Sequence, residues 1–395
     1  MTTAHFTPPN PETDVVLTCA RVELPEANSH QLRALLELPL DWGGVVALAA
    51  RHGLLPLLAL HLLGLAPDAT PPAVRERLRS HRQAVALHNL GLAGELVRLL
   101  RLLDERGIPA LPFKGPALAQ FAYGNVALRE FGDLDVLLRP DDVPRARSLL
   151  AGEGYRPQYA LTAAQEAAYL RYLGQLPLEK SPRSVVELHA SLAPRAFAFD
   201  LDLARMWPRR RVVTVSGQPI AAPGAEDLLL ILCMHGAKHL WKNVGWICDV
   251  AELLRVQPQM DWDAVRPEAR RLRCERLLRL GVYLAEGVLG APLPPDVSRA
   301  ARGDAAVRTL AGRVVPHLFG DVEWAPGGLE SVAFHLRLRE RTRDAVRFCL
   351  SLLVTPTLAD WQAVSLPPPL AFLYHGVRPV RLLGKYLRLT GSTDT

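Results

Sequence analysis

The sequence predicts an α+β protein in which a small mixed-sheet core is flanked by N-terminal and C-terminal helical regions. Residues 31–105, and the chain from residue 226 onward, repeat apolar side chains at the spacing of helix faces. Between them the pattern changes to short apolar segments bounded by glycines, which is typical of buried strands. The chain has 395 residues, too many for one ordinary core, so several domains are expected.

The domain boundaries are predicted from shifts in composition and periodicity. Residues 1–28 are rich in proline and polar residues and are expected to be a loose lead-in. A helical region is predicted for 29–105, the sheet-containing core for 106–222 and a C-terminal helical domain for 223–330. Residues 331–395 are predicted to form a helical tail with a basic amphipathic end. We expect that tail to dock on the protein, with peripheral membrane contact disfavoured.

The core elements follow one another in a recognisable order. Ile108–Phe113 is short and apolar and predicts a strand, and Pro116 suits the first turn of a helix that ends at Gly124. Asp133–Leu138 predicts the second strand. The later pattern predicts helices near 143–152 and 163–173, a hairpin of strands 175–180 and 184–189, and a short strand at 212–215.

The composition of the chain limits which cellular compartment and which binding partners are expected. The formal charge of +6 is mildly basic, which fits a phosphate-bearing substrate and is weak evidence for nucleic acid. The five cysteines are scattered, odd in number and lack metal-site spacing, so we expect reduced core residues in a cytoplasmic protein. We recognise no signal peptide and no apolar segment long enough to span a membrane.

Two aspartates one residue apart are the strongest chemical signal. Asp133 and Asp135 sit in the apolar run Asp-Leu-Asp-Val-Leu-Leu, and the two-residue period of a strand points both to one face. Neighbouring carboxylates repel each other unless a cation lies between them. Carboxylate oxygens suit Mg²⁺, which commonly bridges to a substrate phosphate. The alternative is that the two aspartates belong to a surface turn and bind no cation. The apolar residues on both sides of them disfavour this alternative.

Four strings in this order resemble a known group of enzymes, the nucleotidyltransferase superfamily with a polymerase-β-like core. More narrowly, the chain is similar to the bacterial group labelled "uncharacterised nucleotidyltransferase", and the similarity covers most of the chain from about residue 30. The strings are Phe-Lys-Gly-Pro-Ala-Leu-Ala at 113–119, Arg129 before Gly-Asp-Leu-Asp at 132–135, Glu-Leu-His at 187–189, and His-Gly-Ala-Lys-His-Leu-Trp at 235–241 followed by Asp249.

The resemblance implies an Mg²⁺-dependent transferase, with Mn²⁺ as the alternative ion. It implies that Asp133 and Asp135 bind both metals, and that Glu187 is the third carboxylate, acting as metal ligand or as base. Many members carry Gly-Ser or Gly-Gly at the turn that touches the triphosphate, whereas this chain has Lys114-Gly115 followed by proline. The Lys114 ammonium and backbone N–H groups at the helix start are expected to replace that contact.

Five further residues are candidates for substrate or phosphate contacts, each with a structural alternative. Arg129 is either a triphosphate ligand or a surface charge. His189 shares a strand face with Glu187, and is either a partner of the carboxylates, an acceptor contact or a structural histidine. His235, Lys238 and His239 lie on one or two adjacent helix faces, and either line the cleft or pack in the core.

The expected reaction is transfer of a nucleoside monophosphate from a triphosphate such as ATP to a hydroxyl-bearing acceptor. That acceptor is a small molecule, a natural-product intermediate or a peptide. The first alternative is a toxin-like nucleotidyltransferase that modifies tRNA, but no clustered basic and aromatic patch supports it. The second is a non-catalytic nucleotide-binding module. Retention of all three carboxylates disfavours this second alternative.

Overall fold

The computed structural model describes residue 6 and residues 8–181, 184–320, 328–364 and 366–390, with the backbone alone at 368, 369 and 385–390. It confirms an α+β fold in which a mixed sheet is flanked by helices on both sides in the chain. The division into domains stays a prediction.

The central sheet has five strands, and its register places the candidate residues next to one another. The strands are β1 (Ala110–Pro112), β2 (Asp133–Leu138), β3 (Arg156–Pro157), β4 (Gln175–Ser181) and β5 (Ser184–His189). Their order in space is β1-β2-β5-β4-β3. The central pair β2 and β5 is parallel, and the other pairs are antiparallel. The predicted strand at 212–215 forms a separate two-stranded ribbon, β6 (Arg211–Val215) with β7 (Gln218–Ala222).

The N-terminal part is helical earlier than predicted. Its helices are α1 (Pro11–Cys19), α2 (Glu26–Leu36), α3 (Trp42–Arg51), α4 (Leu55–Leu65) and α5 (Pro72–Asp104). The loose lead-in expected for residues 1–28 is therefore wrong where the structure describes α1. The Asn10 side chain accepts a hydrogen bond from the Thr13 N–H and caps α1. Val15 and Val16 are fully buried. The free energy gained by burying these apolar side chains stabilises the helix although the surrounding sequence is rich in polar residues.

Four helices are interleaved with the strands of the core, much as the sequence predicts. They are α6 (Gly115–Tyr123), α7 (Val143–Gly152), α8 (Ala163–Leu173) and α9 (Leu203–Met206). Helix α6 ends at Gly124, whose φ of 68° is left-handed. The predicted hairpin of β4 and β5 is confirmed. Because α7, β3, α8 and β4 all lie between β2 and β5, these two parallel strands come together through a long crossover.

The C-terminal part consists of ten helices within the described residues. They are α10 (Ala225–Lys238), α11 (Val244–Val256), α12 (Trp262–Arg271), α13 (Glu275–Leu289), α14 (Pro295–Gly303), α15 (Ala305–Phe319), α16 (Leu329–Leu338), α17 (Thr342–Val354), α18 (Leu358–Ala363) and α19 (Tyr374–Thr390). None of the helices described is long and apolar enough to cross a membrane.

The tail docks on the protein as expected, because Trp361 packs against Tyr169 of α8 and Tyr172 of α8 lies 3.3 Å from His375 of α19. Within the tail, helix α18 is capped by Thr357, and its Asp360 is fully buried. Asp360 receives the guanidinium groups of Arg378 and Arg381 from α19. Tyr374 of α19 packs edge-on against Trp361. The predicted basic residues Lys385 and Arg388 lie outside the described side chains.

Strand β2 contributes alternate side chains to two different cores. Leu134, Val136 and Leu138 belong to the core that includes α5 and α7. Leu137 belongs, with Phe113 at the end of β1, to the core that includes α10 and α11. Asp133 and Asp135 share the face of Leu137, because side chains alternate along a strand. The carboxylates therefore lie on the side of the sheet where the C-terminal helices pack.

Candidate active site

The parallel register of β2 and β5 brings two acidic side chains and one histidine together. Asp135 is directly opposite Glu187, and His189 lies one step further on the same face of β5. The His189 Nε2 atom is 2.9 Å from Asp135 Oδ1 and 3.2 Å from Glu187 Oε2. These three side chains offer ligand atoms within 4.8 Å of one another. We call them the Asp135–Glu187–His189 cluster.

Asp133 lies beside this cluster and is outside it. Among the described residues, the group of potential metal ligands contains Asp135, Glu187 and His189 and does not include Asp133. Burial, and then the charge of Asp135, raise the pKa of Asp133 to about 6. The two aspartates thus repel each other, as expected for neighbouring carboxylates with no cation between them. The assignment of Asp133 as a metal ligand stays a prediction.

Asp135 is the most strongly held of the carboxylates. Its side chain is 1% exposed, and the Lys114 Nζ atom lies 3.1 Å from its Oδ1 atom. Burial raises the pKa of Asp135, but the Lys114 ammonium and the His189 hydrogen bond outweigh burial and hold this pKa well below its usual range. For His189, burial lowers the pKa, whereas the two carboxylates raise it to a net value above the ordinary one. His189 therefore contacts both carboxylates directly, and its role in the site stays a prediction.

The turn before α6 aims Lys114 at these carboxylates. Gly115 has a φ of 55°, and a Cβ atom there would lie 3.1 Å from the Asp133 carbonyl oxygen. A side chain at this position would meet both a strained backbone and a steric contact. Gly115 thus lets the start of α6 approach β2 closely, and Lys114, its N-cap residue, reaches Asp135.

The cluster has the features of a divalent-cation site. The Oδ2 atom of Asp135 is buried and has no hydrogen-bond partner within the described part of the chain. An unpaired buried acceptor is costly, and a cation beside it removes that cost. Two carboxylates and an imidazole are ligands found around Mg²⁺, Mn²⁺ and Zn²⁺, with the oxygen atoms favouring the harder ions. The residues present therefore fit a divalent cation.

Arg129 has a buried protein partner. Its Nε and Nη2 atoms donate to the two oxygens of Asp249, at 2.7 and 2.9 Å, and Tyr123 donates its hydroxyl to Asp249 Oδ1 at 2.7 Å. Asp249 therefore pairs with Arg129 and Tyr123, which occupy both of its oxygens, and not with Lys238 or a histidine of α10. The triphosphate contact proposed for Arg129 stays a prediction, with two of its five N–H donors already used.

The three polar side chains of α10 lie at the edge of the cluster. The rings of His235 and His239 are 4.8 Å apart, and both pack against Trp246. Burial, followed by the neighbouring Lys114 charge, lowers the pKa of His235 well below its ordinary value. Burial also lowers the pKa of Lys238, whose ammonium feels the charges of Lys114, Glu187 and Asp135. The charges of the carboxylates therefore act on His235 and Lys238, whereas His239 packs beside His235 and Trp246.

Residues 235–241 also contain a close packing contact between Gly236 and Trp241 that the sequence analysis missed. Trp241 follows the end of α10 with a φ of 50°, and its N–H donates to the Gly236 carbonyl at 2.7 Å. The ring folds back over Gly236, where an added Cβ atom would lie only 2.4 Å from Trp241. Trp241 is fully buried. The glycine two residues before the end of α10 and the tryptophan three residues after that end were the available signal.

Gly236→Ala is expected to destabilise the protein by about 1–3 kcal/mol, because overpacking forces the Trp241 ring or α10 to move. The measurement is the urea midpoint followed by circular dichroism and tryptophan fluorescence. Gly287→Ala is the control, since Gly287 lies inside α13 with open space around its Cα. That control should be neutral or stabilising by up to about 1 kcal/mol. Equal urea midpoints for the two variants would show that Trp241 is not locked by Gly236.

Comparison with known proteins gives one family and one solved structure. A family model described as "Uncharacterised nucleotidyltransferase" matches residues 39–290. A similar solved structure is the solution structure of the antibiotic-resistance factor ANT(2'')-Ia, at 16% sequence identity and a TM-score of 0.28. The alignment covers 56% of this chain and 96% of that one. No curated protein matches the chain. The family match spans α3 to α13 and so contains every candidate residue described above.

Proposed function

We propose, from the premise that this chain belongs to the uncharacterised nucleotidyltransferase family, that it transfers a nucleoside monophosphate from a nucleoside triphosphate to a hydroxyl-bearing acceptor with the help of Mg²⁺. The Asp135–Glu187–His189 cluster beside Lys114 is the observation that carries the proposal. It combines carboxylates for a divalent cation with an ammonium for phosphate. A nucleotidyl transfer needs both at one place.

Two aspartates have the roles of metal ligands in this proposal. Asp135 would hold Mg²⁺ through its unpaired Oδ2 atom, with Asp133 as the second ligand, and of the two roles open to Glu187 we choose that of the base. The ion supplies charge neutralisation on the triphosphate and lowers the pKa of a bound hydroxyl. His189 donates to Asp135 and Glu187 and so fixes the orientation of both carboxylates. Mn²⁺ is the alternative ion for the same oxygen ligands.

Two lysines are placed to bind the phosphates. Lys114 reaches from the start of α6, where backbone N–H groups are also directed at an approaching anion. Lys238 is half-buried, and in the described part of the chain its ammonium makes no hydrogen bond or ion pair. A partly buried ammonium without a direct partner is stabilised when an anion binds beside it. Lys238 is therefore our choice for the contact with the triphosphate or the pyrophosphate product.

The chemical step is an in-line displacement at the α-phosphorus. The acceptor oxygen forms a bond to that phosphorus, and the bond from the phosphorus to the bridging oxygen breaks to release pyrophosphate. Glu187 takes the hydroxyl proton in our proposal. Its side chain is 21% exposed, and it is thus the most accessible member of the cluster. His189 already bears a raised pKa between two carboxylates, so it suits the role of proton donor to them rather than of base.

Isothermal titration with each of the four ribonucleoside triphosphates, with and without Mg²⁺, tests the nucleotide site. We expect binding of at least one triphosphate that requires the metal and disappears in Asp133→Asn/Asp135→Asn. Binding that is equal without metal and unchanged in the double variant would contradict the proposal. Metal-independent binding with no pyrophosphate release from any acceptor would instead favour a non-catalytic binding module.

A further inference from the structure

A large cavity lies next to the candidate active site, and within the described part of the chain Lys238 is the one lining residue to which the nucleotide proposal gives a role. Its volume is about 900 Å³, and most of its lining is apolar. This volume is in the range of pockets that enclose a whole small ligand. Lys238 and His239 form part of its wall. The charges of Glu187 and Asp135 act on the Lys238 ammonium, and Lys238 therefore links the cavity to the place where the acceptor hydroxyl must lie.

The cavity has an inner wall from the core and an outer wall from the C-terminal helices. The inner wall includes the end of α8 and residues 194–197, which follow β5 closely in the chain. The outer wall comes from α16, α17 and α19. These helices begin at Leu329, beyond residues 39–290 that the family model matches. The outer wall is therefore a part of the chain that the family match does not account for.

The side chains on the outer wall are apolar and exposed to the cavity and solvent. Leu329, Leu350 and Leu353 line the cavity and are 77%, 55% and 48% exposed. Clustered exposed leucines are costly in water and mark a binding surface. The charged residues of the wall are all cationic, with Arg195, Lys238 and Arg347 among them, and the described lining contains no aspartate or glutamate.

We propose that this cavity binds the acceptor, and that the acceptor is an anionic amphiphile with a long apolar body and a hydroxyl group. The inference rests on the proposed function and adds the substrate class. The apolar body lies against the leucines of α16 and α17. The anionic group pairs with the cationic side chains, and the hydroxyl reaches past Lys238 and His239 to the carboxylates. The cationic lining excludes an apolar compound without an anion as the preferred occupant.

Binding of a fluorescent amphiphile tests the inference. The probe is dansyl-undecanoic acid below its micellar concentration, displaced by hydroxydodecanoic acid, with glycerol 3-phosphate as the polar comparator. We expect saturable probe binding, displacement by the hydroxy fatty acid and none by the comparator. Leu350→Glu and Leu353→Glu should each weaken probe binding by about tenfold or more, because the bound probe would cover the new carboxylate, which opposes an apolar body and repels an anion.

Leu90→Glu is the matched control, since Leu90 on α5 is 53% exposed and lies away from the cavity. It should bind the probe like the wild type, and all three variants should keep the wild-type urea midpoint and triphosphate affinity. No saturable binding, equal displacement by glycerol 3-phosphate, or equal effects of Leu90→Glu and Leu350→Glu would overturn the inference. Binding to phosphatidylglycerol vesicles without binding of the monomeric probe would overturn it in favour of a membrane surface.

The same experiment separates failure of the inference from failure of the proposed function. If triphosphate binds with metal and no amphiphile binds, the nucleotide site stands and the acceptor class is wrong. If the amphiphile binds and no triphosphate does, the cavity is a binding site for anionic amphiphiles and the transferase proposal fails. Once both bind, pyrophosphate release dependent on a hydroxyl amphiphile is the expected result, and its absence over a series of chain lengths contradicts the acceptor role.

Discussion

Asp135→Asn is expected to reduce metal-dependent triphosphate affinity by at least about 100-fold, or about 2.7 kcal/mol. The substitution keeps the shape of the side chain and removes the charge that Lys114 and His189 hold at 3.1 and 2.9 Å. It also replaces one carboxylate oxygen by an amide nitrogen, which cannot bind a cation. Turnover, measured as pyrophosphate release, should fall by about a thousandfold or more, as for loss of a group that stabilises transition-state charge.

The control must reproduce the loss of a buried, paired aspartate at a distance from the cluster. Asp227 on α10 is 2% exposed and receives the Arg209 guanidinium at 2.6 and 3.1 Å. Asp227→Asn should lower the free energy of unfolding while leaving triphosphate affinity unchanged. Titration with Mn²⁺ followed by electron paramagnetic resonance measures the ion site directly. Unchanged Mn²⁺ affinity in Asp135→Asn would remove Asp135 from the metal site.

Asp249→Asn is expected to lower the free energy of unfolding by about 3–5 kcal/mol. Asp249 is buried, and the variant leaves the Arg129 guanidinium, whose side chain is 12% exposed, without a negative partner. The pair joins α11 to the loop before β2, so its loss should loosen the packing of the helices on the sheet. Urea unfolding followed by circular dichroism is the measurement.

Glu76→Gln is the matched surface control, because Glu76 pairs with Arg79 on α5 at 3.8 Å with both side chains exposed. It should change the free energy of unfolding by less than about 1 kcal/mol. Arg129→Met/Asp249→Leu should recover part of the loss, since replacing both charges leaves no unpaired ion. If Asp249→Asn keeps its urea midpoint and loses triphosphate affinity, Arg129 belongs to the nucleotide site.

The sequence predicts the core of this fold well because its signals are local. The two-residue alternation through Asp133–Leu138 and the turn at Gly124 both depend on neighbours in the chain, and both are confirmed. The loose lead-in failed because α1 is stabilised by packing against the later helices α2, α3, α4 and α13, which the local polarity of residues 1–28 does not reveal. The same holds for α18, where Asp360 is buried by two arginines from α19.

The candidate site divides in the same way. The shared face of Glu187 and His189 follows from the strand period alone. Their approach to Asp135 also requires that β5 pairs with β2 in parallel. The family resemblance implies that these carboxylates come together. The partner of Asp249 could not be predicted, because Arg129 is 120 residues earlier in the chain and no periodicity links them. The cavity could not be predicted either. Its outer wall is formed by helices whose sequence pattern indicates which face of each helix is apolar, but does not indicate which other helices it packs against.

Strand β2 is a wall shared by two cores, and this limits how the protein can evolve. A slip of one residue in its pairing would turn Leu134 and Val136 toward the C-terminal helices and the aspartates into the other core. An insertion or deletion within Asp133–Leu138 would therefore abolish packing and chemistry together. Point substitutions can change each face of β2 separately, whereas the number of residues in the strand must stay the same. We expect length variation among relatives to accumulate in the long crossover between β2 and β5.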